Sequence, residues 1–176
     1  MQPQVPIEVD ADTGEWTVDG MPMILMPRHF FMNNHLAIEA EVGAERYADL
    51  LFKAGHKSAL IWCEREAATH GFTDVAVFHH YMQRVSQRGW GKFTVRSVDA
   101  AAGTAQIRID HSAFVKAAPE GAGSGRKRCA MFRGWFPGAL EYVASRLGIR
   151  RALTADESQC AGESGHDHCM FDVRPA

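Results

Sequence analysis

The sequence is short of several features that commonly declare a function. Its longest apolar runs, such as Met21 to Met26, fall well below the roughly 20 residues that a membrane-spanning helix needs, so no membrane partner is expected. Net charge is small: 19 Lys and Arg against 21 Asp and Glu leave −2, and the pI is near 6.5. Such a balance supplies no overall field to draw the chain to nucleic acid, and no direct nucleic-acid binding is expected. The glycines of Pro119 to Arg128, Gly121, Gly123 and Gly125, lack a third glycine at the spacing that a dinucleotide fingerprint requires, so the signature of a nicotinamide or flavin enzyme is missing. No hydrophobic leader precedes the domain, which points to a reducing, cytoplasmic setting where stable disulfides are disfavoured. Cysteine is scarce, at four residues. Cys63, between Trp62 and Glu64 on a helical pattern, reads as a small core hydrophobe, with no positioned base to make it a nucleophile.

The other three cysteines are concentrated late in the chain. Cys160 and Cys169 flank a polar, glycine-bearing loop, and Cys129 lies some thirty residues upstream. Thiolates in that arrangement suit one tetrahedral ion, because the loop must turn tightly without bulky side chains. The setting of Glu, Ser, His, Asp and Gly would leave reduced thiols exposed if no metal held them. The expectation is structural zinc. On spacing alone the fourth ligand is open among Glu157, His166 and His168, imidazole being the commoner partner of thiolates.

Cys129, Gly134, Trp135 and Gly138, followed by Glu157, Cys160, Gly162, Gly165 and Cys169, resemble the C-terminal half of the 4-vinyl-reductase domain family. The likeness is to the sensory domains of phenol- and toluene-responsive transcription activators, and in weaker form it extends back to about Ala44. It implies a zinc held by three Cys and one Glu, which fall here on Cys129, Glu157, Cys160 and Cys169. The Cys160 to Cys169 interval is one residue longer than in the phenol sensors, which keeps His168 as the alternative ligand. In those sensors a His and a Trp hold the phenolic hydroxyl. This chain has Val85 near the first position and Ile109 or Asp110 at the second, so a different specificity is implied.

At 176 residues the length suits one domain. Alternation in Ile7 to Asp10 and Glu15 to Asp19 around a turn predicts a hairpin, and Pro22 to Met26 a further extended segment. Residues 1–27 therefore form an arm, and residues 28–176 the ligand-binding body with the zinc site at its end. The arm's Ile7, Val9, Trp16, Val18, Met23, Ile24 and Met26 exceed what a lone hairpin can bury, which suggests a homodimer. Pro27 suits the start of a helix carrying Phe30, Phe31, His35 and Ile38. Gly43 ends it, and a second helix follows with Tyr47, Leu51, Ala54, Ser58 and Ile61 at helical spacing, closed by Gly71. A third runs from Asp74 towards Gly89 on Val75, Phe78, Met82 and Val85. Lys92 to Val98 and Thr104 to Asp110 read as an antiparallel hairpin, Met131 to Leu147 as a fourth helix, and Arg151 to Thr154 and Met170 to Val173 as strands bracketing the metal loop.

Helices first, then an antiparallel sheet with one inserted helix, is an α+β order. The resemblance implies the same class: a helical layer packed on a small twisted antiparallel sheet, similar to haem-based nitric-oxide sensor domains and vesicle-tethering subunits. The functional expectation is a zinc-stabilised, non-catalytic module, sensor or carrier, for a small apolar or aromatic ligand. A pocket between helices and sheet would be lined by His56, Tyr81, His111 and Trp135, which pair apolar bodies with polar tips. Two alternatives remain at this stage: a reductase or accessory protein acting on a tetrapyrrole vinyl group, and an assembly or interaction subunit.

Overall fold

The computed structural model describes residues 5–117, 127–163 and 165–176. The glycine-rich stretch read as a linker falls largely on residues 118–126, outside them. The chain begins with a small three-stranded antiparallel sheet, β1 (Ile7–Val9), β2 (Trp16–Val18) and β3 (Met21–Met23), ordered β1-β2-β3. The turn into β2 is closed by Asp10, whose carboxylate accepts the backbone N–H groups of Asp12 and Thr13 at 2.8 and 2.9 Å. Three helices follow: α1 (Arg28–Val42), α2 (Ala44–His70) and α3 (Val75–Gln87). Gly43, with φ of 85°, separates the first two, and Gly71, with φ of 67°, ends α2 in the left-handed conformation that glycine adopts without strain.

A second sheet is built from β4 (Lys92–Asp99), β5 (Thr104–Asp110), β6 (Leu153–Gln159) and β7 (His168–Pro175), all antiparallel in the order β4-β5-β7-β6. Between β5 and β6 lie α4 (Ala113–Lys116), a single turn, and α5 (Ala130–Arg146). The inner sheet face carries Phe93, Ile107, Ile109, Phe171 and Val173, and α5 lays Phe132, Phe136, Leu140 and Val143 against it in one buried core. The opposite face carries polar residues such as Gln106 and Asp172, hydrogen-bonded to each other at 2.9 Å. The architecture is α+β, a helical layer on one side of an antiparallel sheet. Among the described residues no helix is long and apolar enough to cross a membrane.

The backbones of α2 and α5 cross closely because glycine lies at the crossing. A Cβ added at Gly134 would stand 2.1 Å from the Phe52 carbonyl oxygen, and one at Gly138 would stand 2.5 Å from that of His56. The buried stripe of α2 is consequently Tyr47, Gly55, Ala59, Trp62, Cys63, Glu66 and Ala67. Of the positions expected to face inward, Tyr47 does, whereas Ala54, Ser58 and Ile61 are exposed. Small residues that allow close approach have replaced the large apolar ones by which a buried face is usually recognised. On α1, Met32 and His35 are buried while Phe30 and Ile38 face outward. Strand β6 starts later and runs further than its apolar residues suggest, and β7 extends beyond Met170 to Val173 at both ends.

Candidate metal centre and ligand cleft

Strand alternation brings the candidate metal ligands together. In β6 the inward positions are Leu153, Ala155 and Glu157, and in β7 they are Cys169, Phe171 and Val173. A carboxylate thus occupies a core position of its strand. The pairing register shifts between Glu157 and Gln159, a bulge at the point where the strand meets the site. Cys129 stands at the N-cap of α5, and Cys160 follows the end of β6. One ligand atom from each of Cys129, Glu157, Cys160 and Cys169 lies within 4.8 Å of the others, and all four residues are buried.

The sulfurs are not bonded to one another. Cys129 Sγ and Cys169 Sγ are 3.8 Å apart and Cys169 Sγ and Cys160 Sγ 3.9 Å, whereas a disulfide holds its sulfurs at about 2.05 Å. Thiolates each ~2.3 Å from a tetrahedral ion would stand roughly 3.8 Å apart. Glu157 Oε2 accepts the Cys129 backbone N–H at 3.3 Å, while its Oε1 is buried without a hydrogen-bond partner. That orphaned oxygen at the edge of three sulfurs is the donor such an ion would take. Further groups support thiolate charge: the backbone N–H of Ala161 reaches Cys169 Sγ at 3.3 Å and that of Gly162 reaches Cys160 Sγ at 3.4 Å. Ser112 Oγ lies 3.1 Å from Cys129 Sγ.

Without a cation the cluster cannot hold all its charges. Burial, with the Cys160 thiol beside it, pushes Glu157 up to about 9. Cys129 is driven well above its ordinary value by its contacts with the Cys160 and Cys169 sulfurs, and by burial. Cys169 is held down, to about 4, by its contacts with the Cys129 and Cys160 sulfurs. A divalent ion would reverse the unfavourable terms and let the donors ionise together. His168 points away, with Nδ1 bonded to Asp167 and Nε2 3.1 Å from Gln159 Nε2, and His166 is exposed.

The four residues expected around a ligand do not converge. Tyr81 and Trp135 are buried together, ring centroids 6.1 Å apart. His56 is half-buried and pairs through Nε2 with Glu141 at 2.9 Å, and His111 is exposed with φ of 59°. Burial pushes the Cys63 thiol up, in keeping with a core role. Two clefts lie elsewhere. The smaller, about 90 Å³, lies between α1, α2 and the start of α5. The larger, about 670 Å³, opens between the N-terminal sheet and the turn from α3 into β4, and is lined by Trp16, Met23, Ile24, Phe31, Arg88 and Trp90 among others. A space of that size is within the range of small-molecule sites. Trp90 meets Trp135 edge-on at 5.1 Å, so two of the expected residues, Trp135 and Tyr81 behind it, back this wall without lining it.

The arm is fastened to the body by charge. Asp19, in the turn between β2 and β3, places Oδ2 2.9 Å from Arg84 Nη2 and Oδ1 3.8 Å from His70 Nε2. Glu66, almost wholly buried on α2, meets His80 Nε2 at 2.8 Å and His70 Nε2 at 3.4 Å.

The family described as "Domain of unknown function (DUF5943)" matches residues 1–96, more than half of the chain. The chain belongs to that family. The matched stretch holds the arm, the first three helices and all but Ala113 of the larger cleft's lining, and it ends before the metal ligands. Curated proteins include no significant match. Among solved structures, the phenol-responsive sensory domain of the transcription activator PoxR, with phenol, superposes with a TM-score of 0.80 at 19% identity. That match covers 96% of this chain and 84% of the other. A trafficking protein particle complex subunit 3 from Naegleria fowleri, covalently bound to palmitic acid, superposes with a TM-score of 0.59 at 14% identity, covering 85% and 92%. Both likenesses are of fold.

Proposed function

We propose that this chain is a non-catalytic small-molecule-binding module whose C-terminal sheet is held by one structural zinc on Cys129, Glu157, Cys160 and Cys169. The observation that carries the metal is the sulfur spacing of 3.8 and 3.9 Å beside an unpartnered, buried Glu157 Oε1. Four protein donors would close the coordination shell and leave no position for substrate, which makes the role structural. Thiolate ligation requires reduced cysteines, in keeping with a cytoplasmic protein. Elemental analysis of protein purified without chelator should return one zinc per chain. Glu157→Ala should lose the metal and His168→Ala keep it; the reverse pattern would move the fourth ligand to His168.

The ligand half of the reading is supported by the fold shared with a domain that responds to phenol, and by the larger cleft with its aromatic wall. Phenol itself is expected to bind poorly, since Val85, and Ile109 or Asp110, stand at the places where the phenol sensors are expected to carry the His and the Trp that hold its hydroxyl. A thermal-shift screen of aromatic and apolar compounds tests this: a ligand at a hundred times its dissociation constant should stabilise the fold by about 2.7 kcal/mol. One observation favours a second reading, pairing of two chains. Ile24 and Leu25 are 81% and 77% exposed on the arm, beside further exposed Ile7, Val9 and Met26. Light scattering of the whole chain and of a chain lacking the arm would show a dimer that the deletion weakens.

A further inference from the structure

The larger cleft is mostly apolar, with Thr17, Arg28, Gln87 and Arg88 as the polar side chains of its lining. Arg88, the residue that ends α3, lies on its wall, with the guanidinium carbon 5.3 Å from the centroid of the Trp62 ring. Its Nε and Nη2 are both buried and neither has a hydrogen-bond partner among the described residues. The nearby acids face other cations, Asp19 paired with Arg84 and Glu66 with His80 and His70, although Asp19 Oδ2 makes no hydrogen bond among the described residues. Glu66 and Asp19 act on Arg88 only at a distance, and burial lowers its proton affinity. A guanidinium cannot discard its proton to escape this cost, so its buried donors call for an acceptor. The fork of parallel N–H groups matches a carboxylate. On the same wall Phe31 and Trp90 meet edge-to-face at 5.3 Å, and Trp16 adds a third aromatic surface from β2.

We infer that the cleft takes an aromatic carboxylate, its rings against Trp16, Phe31 and Trp90 and its charge on the Arg88 guanidinium. This rests on the reading of the cleft as a ligand site and adds the ligand's charge to it. Stacking on the Trp62 ring holds the guanidinium in place from behind, so the carboxylate would meet a preset group.

Calorimetric titration of the whole chain with 2-naphthoate and with the neutral 2-naphthamide separates the two levels of the claim. The carboxylate should bind at least about tenfold more tightly than the amide. Arg88→Gln should weaken the carboxylate by about 10 to 100-fold, the range expected for a lost charge-assisted pair, and leave the amide unchanged. Arg88→Lys, which keeps charge but not the fork, should fall between. Equal affinity for the two probes would overturn the charge assignment while the ligand site stands. A preference for the carboxylate that survives Arg88→Gln would place the anion elsewhere and overturn it too. Failure of both probes to bind would overturn the cleft as a site for aromatic ligands altogether. The first comparison needs no variant, so a poorly folding Arg88→Gln does not shelter the proposal.

Discussion

His35 shows how one buried side chain sets a response of the whole fold. It is 8% exposed, edge-on to Phe31 and Phe114 with centroids at 4.3 and 5.2 Å, and its Nδ1 is hydrogen-bonded to the Tyr47 hydroxyl at 2.7 Å. Burial pushes its pKa down, with Glu39 pulling weakly the other way. The unfolded chain therefore binds this proton more readily than the folded one, and stability rises with pH across the interval between the two values. The contribution is complete above the unfolded value near 6.5 and is lost as pH falls through the depressed folded one. Urea midpoints measured from pH 8 to pH 5 should decline on the acid side, and His35→Gln should flatten the decline. Some slope should remain, because His80 is also pushed down by burial, against the pull of Glu66. Tyr47→Phe leaves the His35 Nδ1 unpaired, and should cost about 1 to 3 kcal/mol at neutral pH in the same assay.

At the scale of elements, the crossing of α2 and α5 is the least forgiving contact. Gly134→Ala would press a methyl group into the Phe52 carbonyl, a backbone atom that cannot swing aside. The helices must separate, and the expected loss is roughly 3 kcal/mol or more, read as a fall in denaturation midpoint. Gly138→Ala should follow with a smaller loss, its nearest atom lying at 2.5 Å. This crossing also shows where the sequence was hard to read. Alternation identified β4 and β5 almost to the residue, because their inner face is large and apolar. Between Tyr47 and Trp62 the inner face of α2 is only Gly55 and Ala59, and beyond Trp62 it is Cys63, Ala67 and a buried Glu66, a pattern that hydrophobic periodicity registers poorly. Asp156 to Gln159 is polar and reads as loop, yet β6 runs through it because Glu157 serves the cysteine cluster. Spacing singled out the three late cysteines, and the family resemblance, not spacing, pointed to Glu157 beside them. The cluster's support from Ser112 had no local signal, and neither did the cleft, whose Trp16, Phe31, Arg88 and Trp90 meet only once the arm is docked.

For the whole molecule, the cysteine cluster ties the start of α5 to the end of β6 and the start of β7, two strands already paired in the sheet. If the cluster holds the proposed zinc, a chelator is expected to lower the melting temperature and erase near-ultraviolet dichroism from the aromatic residues around Phe132 and Phe171, and added zinc to restore both. Cys160→Ser should mimic the chelator. The arm is tied at the other end. Asp19 and Arg84 are both largely buried, so Asp19→Asn strands a guanidinium and should cost on the order of 3 kcal/mol, felt first at the arm. Limited proteolysis should then cut within residues 5–27 before it reaches the helices.

The same attachment bears on timing. One wall of the larger cleft belongs to the arm and the other to the body, so a molecule lodged there bridges the two and each must yield before it can leave. By reciprocity, occupancy and arm docking strengthen each other by the same factor. Residence time should therefore follow the strength of the Asp19–Arg84 pair, even though the ligand need not touch either residue. In Asp19→Asn a bound aromatic should dissociate faster in stopped-flow chase experiments, and the arm should be cut more slowly when the cleft is filled.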